Sequence, residues 1–206
     1  IKRHLPFGAG EGLHATAHDQ RRVALGTSAT GRANRNVFAG LSGGFGTVKL
    51  GQIDDVVKQI GRKVDFFMSE QIGESRALTR VGPGGTNIGE ERLANSVNYE
   101  SPNMGGLTFT LNYGLENSTT TASQLNAVAF GVQYNAGPLF VGLATKTVDT
   151  TATTDLSIMR LSASYTMGDI KIAGMYQKDD VTTTTDRTVM GIGASMKVGS
   201  GTVKAQ

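Results

Sequence analysis

The sequence has no cysteine, no tryptophan and only four prolines among 206 residues, and 18% of its residues are charged. Without cysteine there is no disulfide framework and no thiolate metal site. The low charge fraction, combined with 28 glycines, argues against a helical bundle, a coiled coil or a highly charged disordered chain. Basic and acidic residues nearly balance, at 20 against 17, so the net charge of +3 does not by itself point to nucleic acid. Residues 117–145 carry no charge at all, but the stretch is rich in Asn, Gln, Thr and Gly and holds Pro138, so it is not the apolar helix of about 20 residues that a bilayer requires. Ile1 is not preceded by methionine, and no secretory leader pattern opens the chain, so a leader is expected to be absent or already lost.

The pattern that is present has period two. Leu107, Phe109, Leu111 and Tyr113 alternate with Thr108, Thr110, Asn112 and Gly114. The same apolar/polar alternation recurs at Val128, Phe130, Val132 and Tyr134, at Leu139, Val141 and Leu143, at Leu161, Ala163 and Tyr165, at Ile170, Ile172 and Tyr176, and at Met190, Ile192, Ala194 and Met196. Each run predicts a strand with one apolar and one polar or small face. About ten strands are expected, mostly joined as hairpins. Tight turns at 43–46, 102–106, 136–138, 168–169 and 199–201 alternate with longer threonine-rich loops at 116–124, 149–154 and 179–186. Short turns on one side and long loops on the other predict a transmembrane antiparallel β-barrel, apolar outside and polar inside. Tyr99, Tyr113, Tyr134, Tyr165 and Tyr176 close apolar faces beside turns or loops, where an aromatic girdle at the lipid headgroups would sit.

Two regions stand apart. Residues 1–34 hold all three histidines and no clean alternation, and are read as an irregular N-terminal segment ahead of a partial barrel over 35–206. Residues 54–92 form a connection too long for an idle loop; its apolar clusters, Val56-Val57 and Phe66-Phe67-Met68, require something to pack on.

Charges are sorted by face. Lys146, Arg160, Lys171, Arg187 and Lys197 share the parity of the small polar residues, which a barrel directs into its lumen, because a cation facing lipid costs about 2–4 kcal/mol near the midplane. The long connection carries Asp54, Asp55, Asp65, Glu70, Glu74, Glu90 and Glu91, which could face Lys49, Arg92 and the wall cations across a narrow opening and so select ions by sign. These acids could equally pair locally with Lys58, Arg62, Lys63, Arg76 and Arg80. His14 and His18 lack a third ligand for a metal, no histidine has a credible Ser or Asp partner, and Gly191-Ile-Gly193 lacks the context of a dinucleotide site, so neither catalysis, metal nor cofactor is expected.

The hairpin 36–51 (NVFAGLSGGFGTVKLG) and the segment 92–102 (RLANSVNYESP), followed by Gly105-Gly106-Leu107, resemble the general porins of Gram-negative outer membranes, in particular those of beta-proteobacteria. The resemblance covers roughly residues 31–206. It implies a sixteen-stranded barrel, usually a homotrimer, of which this chain holds an incomplete part, with 54–91 as the third loop folded inward as a constriction. It further implies an outer-membrane channel, surrounded by lipid, through which small hydrophilic solutes and inorganic ions diffuse with some anion preference, and which has no nucleic-acid partner. Three features depart from the family pattern: Gln52 stands where an arginine is common, the chain shows no terminal aromatic residue, and 18–25 does not match. A non-conducting barrel for adhesion or binding, or a soluble β-sandwich, would share the alternation.

Overall fold

The structure is a computed structural model that describes residues 2–6, 14–22, 33–67, 73–79, 92–114, 126–151, 154–181 and 186–206. Among the described residues, twelve strands form one antiparallel sheet in simple chain order. They are β1 (Lys2–Pro6), β2 (His14–Arg22), β3 (Ala33–Gly43), β4 (Gly46–Asp54), β5 (Arg92–Glu100), β6 (Leu107–Gly114), β7 (Asn126–Ala136), β8 (Leu139–Thr151), β9 (Thr154–Met167), β10 (Ile170–Val181), β11 (Arg187–Val198) and β12 (Gly201–Ala205). Strands β7 to β11 run 11 to 14 residues, enough to cross a bilayer obliquely. All five tight turns fall where the sequence predicts them. Three of them are two-residue hairpin turns that open on a glycine with left-handed backbone, Gly137 (φ 53°), Gly168 (φ 57°) and Gly199 (φ 58°), a conformation suited to the twist of paired strands.

Residues 1–34, read as irregular, contain β1 and β2, paired in register from Lys2↔His18 to Pro6↔His14. Polar residues stand at both parities here, and a register shift between Asp19 and Arg21 breaks the period, so alternation could not reveal these strands.

From β6 onward the two faces separate as the alternation predicts. Leu111, Val128, Phe130, Leu143, Leu161, Ile172 and Ile192 lie exposed on one face; Asn112, Ala129, Ala144, Arg160, Ser162 and Gln177 are buried on the other. Phe109 and Phe130 stack on the outer face with ring centroids 6.4 Å apart. Tyr99, Tyr113, Tyr134 and Tyr165 share that outer face. In β5 an extra residue at Asn95 (φ 49°) shifts the register against β4, so that Leu93 and Ser96 both turn inward.

What buries the inner face is the long connection after β4. It carries α1 (Val56–Gly61) and a short α2 (Arg76–Thr79), and α1 lies on the inner wall of β6 to β9. The core of the protein is this seam: Val56, Val57, Ile60 and Val64 of the loop meet Leu93, Ala129, Phe140, Ala144, Val148 and Ile158 of the wall. The inner face is therefore not uniformly polar. Phe140, Val148, Leu156 and Ile158 point inward because the loop covers them.

Face assignment is testable within one strand of the full-length protein. Ile192 is 76% exposed on the outer face of β11, and Val189 stands on the opposite parity. Ile192→Arg is expected to lose about 2–4 kcal/mol of barrel stability in bilayers, while Val189→Arg loses less than about 1 kcal/mol. Reversible urea unfolding in lipid vesicles reads the difference, and equal losses would contradict the assignment.

Candidate functional site: the loop-covered inner wall

The loop enters the inner face through a knot of charge at Asp54, the last residue of β4. Its carboxylate meets Lys58 Nζ at 2.7 Å, Arg62 at 3.1 Å and Arg92 at 3.3 Å, and accepts a hydrogen bond from Asn36 Nδ2 at 3.1 Å. The backbone N–H of Asp54 donates in turn to Asn36 Oδ1. Residues from β3, β4, β5 and α1 thus converge on one acid. Burial pulls the Lys58 ammonium below the usual lysine pKa, and the Asp54 carboxylate partly offsets this.

Asp55 reverses the chain into α1. Its side chain caps the helix by accepting from Lys58 N at 2.8 Å, and its second oxygen receives Lys146 Nζ at 2.7 Å. Neither side chain has any exposure to water. The next amide, Val56 N–H, donates to Asn112 Oδ1 on β6. Val56 then sits on Gly131 and Ile60 on Gly142, so closely that a Cβ at either glycine would stand 2.3 Å and 2.9 Å from a loop methyl. Small wall residues are the seats of the loop.

Beyond α1 the wall cations bind loop carbonyls. Arg160, fully buried on β9, donates to Val57 O at 3.0 Å and, through Nε and Nη2, to Gln177 Oε1. Gln177 on β10 passes the connection on, donating through Nε2 to Thr79 O at 3.1 Å and to Asp179 Oδ1 at 2.6 Å. Asp179 also accepts from Arg187 of β11 at 2.6 Å. A chain of side chains across β9, β10 and β11 therefore holds the loop at both helical turns. Farther along, Lys171 donates to Lys63 O at 2.9 Å, Lys204 to Phe66 O at 3.0 Å, and the Gln206 side chain bridges Phe66 N and Gly73 O.

The basic residues singled out by parity thus have different environments. Lys146, Arg160, Lys171 and Arg187 stand on the inner wall, the first two fully buried and bound to the loop. Lys49 pairs with Glu100 at 3.0 Å, Arg92 with Asp54, and Lys197 is exposed near the β11–β12 turn. Of the loop acids, Asp54 and Asp55 hold the entry, and Asp65 turns inside the loop to Ser75 and the Phe67 amide. Glu74 is half-buried in the loop; Glu70, Glu90 and Glu91 lie outside the described residues. Tyr176 is half-buried on the outer parity of β10.

Parity reasoning passed over Gln177 because it attends to charge, although Gln177 lies on the same parity as Lys171. Asp179 opens the loop expected over 179–186, whereas β10 runs to Val181 and turns Asp179 inward against Arg187. Asn36 and Asn112 gave no signal, because only the folded loop brings its backbone to them.

The family model for Gram-negative porins matches residues 8–206. Over 140 residues the chain is 29% identical to major outer membrane protein P.IB of Neisseria meningitidis serogroup B, an alignment covering 64% of this chain and 37% of that protein. With the corresponding protein of Neisseria lactamica it shares 30% identity over 128 residues, 62% of this chain and 34% of the relative. Among solved structures, the anion-selective porin from Comamonas acidovorans superposes with a TM-score of 0.76 at 29% identity, over 95% of this chain and 63% of that one. OmpT of Vibrio cholerae, at 16% identity, shares the fold with a TM-score of 0.69 over 96% of this chain and 63% of that one. The chain spans just over a third of the curated relatives it matches and less than two thirds of the Comamonas porin. The alternating sheet, the inward-folded loop after β4 and the match over 8–206 agree: this chain belongs to the Gram-negative porin family.

Proposed function

We propose that the protein carrying this chain forms a water-filled outer-membrane channel for passive diffusion of small hydrophilic solutes and inorganic ions, with a preference for anions. The observation that carries this reading is the loop laid across the inner wall and fixed there by cations. An inward cover of this kind narrows the interior of a strand-walled barrel, which is what a selective passage requires. Membership of the porin family supports the outer-membrane location, and the anion-selective Comamonas relative supports the sign. The assembly is a homotrimer, as the family resemblance implies. Diffusion involves no bond made or broken; wall charge and aperture supply the discrimination.

Arg92 pairs with Asp54, and Arg160 binds Val57 O and Gln177, so both spend donors on holding the loop. The exposed lysines Lys63, Lys197 and Lys204, with the half-buried Lys171, carry more of the field that a passing ion meets.

In planar bilayers the full-length protein is expected to conduct, and its zero-current potential in a KCl gradient is expected to show chloride preference that weakens in concentrated salt. A folded barrel without conductance, or one that prefers potassium, would contradict the proposal.

The loop is expected to set the aperture. Lys146→Met leaves the Asp55 carboxylate buried without its ammonium, a loss of about 3–5 kcal/mol at the loop seat. The expected outcome is a folded barrel with raised single-channel conductance and faster proteolysis of the loop. Unchanged conductance in a folded variant would place the constriction elsewhere.

A further inference from the structure

Beyond the general field, three lysines gather where the loop, past α1, runs along β10 to β12. In the sheet register Lys171 faces Thr166 on β9 and Ser195 on β11, and Ser195 faces Lys204 on β12. All four stand on the inner parity, so ammonium and hydroxyl groups alternate along one row, with the two lysine backbones about 10 Å apart across two strand spacings. The loop adds the third cation. Lys63 lies over the Phe140 ring at 5.0 Å and close enough to Lys171 to repel it.

Two of these ammonium groups are anchored without being neutralised. Lys171 donates to Lys63 O and lies 5.7 Å from the centre of the Phe66 ring; Lys204 donates to Phe66 O. A carbonyl takes one of three N–H donors and leaves the charge in place. Among the described residues no carboxylate lies within ion-pair distance of Lys63, Lys171 or Lys204. Asp65, the acid nearest in sequence to Lys63, is turned away to Ser75. The structure thus holds fixed cations at close quarters, with spare donors and hydroxyl neighbours but without counter-charge.

From this arrangement we infer that Lys63, Lys171 and Lys204, with Thr166 and Ser195, form a binding step for a compact polyvalent oxyanion of the phosphate class. One such ion offsets two or three mutually repelling charges at once and accepts hydrogen bonds from ammonium and hydroxyl groups alike, which chloride does less well. The row lies beside the short β9–β10 and β11–β12 turns, so the step occupies one end of the path past the loop. The inference rests on the channel reading in that it takes the inner face to be the aqueous one.

The test uses inorganic phosphate and the full-length protein. In planar bilayers at 0.1 M KCl, phosphate is expected to reduce the chloride current saturably. Lys171→Gln with Lys204→Gln should raise the half-blocking concentration at least fivefold, and Lys204→Gln alone, at an exposed side chain, about threefold. Lys171→Arg with Lys204→Arg should restore block to within twofold, and Lys178→Gln, near the long-loop end of β10, should leave it unchanged. Equilibrium dialysis of labelled phosphate against the detergent-refolded protein separates the two claims. Saturable binding lost in the glutamine variants, without current, sustains the oxyanion step and removes the channel. Current with no saturable phosphate binding, or block indifferent to Lys171 and Lys204, overturns the step and leaves the channel standing.

Discussion

Asp55 and Lys146 meet at 2.7 Å with neither side chain touching water, and the position of the loop depends on that contact. Removing two ions from solvent costs several kcal/mol each, which their attraction repays only in good geometry with further hydrogen bonds. Asp55 meets that condition by also capping α1, so its carboxylate serves the helix and the wall together. The pair cannot form with the loop displaced by a turn or shifted by a strand. Its value is therefore less in net stability than in the single location it permits.

Around this pair the inner wall divides into two kinds of surface. Under α1 it is apolar and small, with Ala129, Gly131, Gly142 and Ala144 making room for Val56 and Ile60. Beside α1 it is cationic, and its donors reach the loop backbone through Arg160, Gln177, Lys171 and Lys204. A six-residue helix is too short to be stable alone, so it takes its shape from the wall. The wall in turn gains from the loop the core that a lumen-facing sheet would otherwise lack.

Much of the sheet was legible because apolar and polar residues alternate without a break from Leu107 to Tyr113, from Val128 to Tyr134 and from Leu161 to Tyr165. Where polar residues occupy both parities, as in β2, the same rule was silent. The parity of Lys146 and Arg160 was legible too. Their partners were not, since Asp55 lies 91 residues from Lys146 and Val57 O lies 103 from Arg160, distances over which no spacing rule operates. Glycines and alanines on the polar face read as a crowded lumen wall; that they are seats for two loop side chains became visible only with the loop in place. Gln177 shows the same limit for a neutral residue, whose importance arises from hydrogen bonds with Arg160, Thr79 and Asp179.

The loop after β4 lies against β7 on the inner wall, a placement that a single cross-link tests. A Cβ at Gly131 would stand 3.3 Å from Val56 Cβ, close to the separation a disulfide spans. Val56→Cys with Gly131→Cys in the full-length barrel should oxidise to one intramolecular disulfide, seen as a mobility change reversed by reductant, and neither single variant should show it. A folded double variant whose thiols both remain free and open to a water-soluble maleimide would contradict the account.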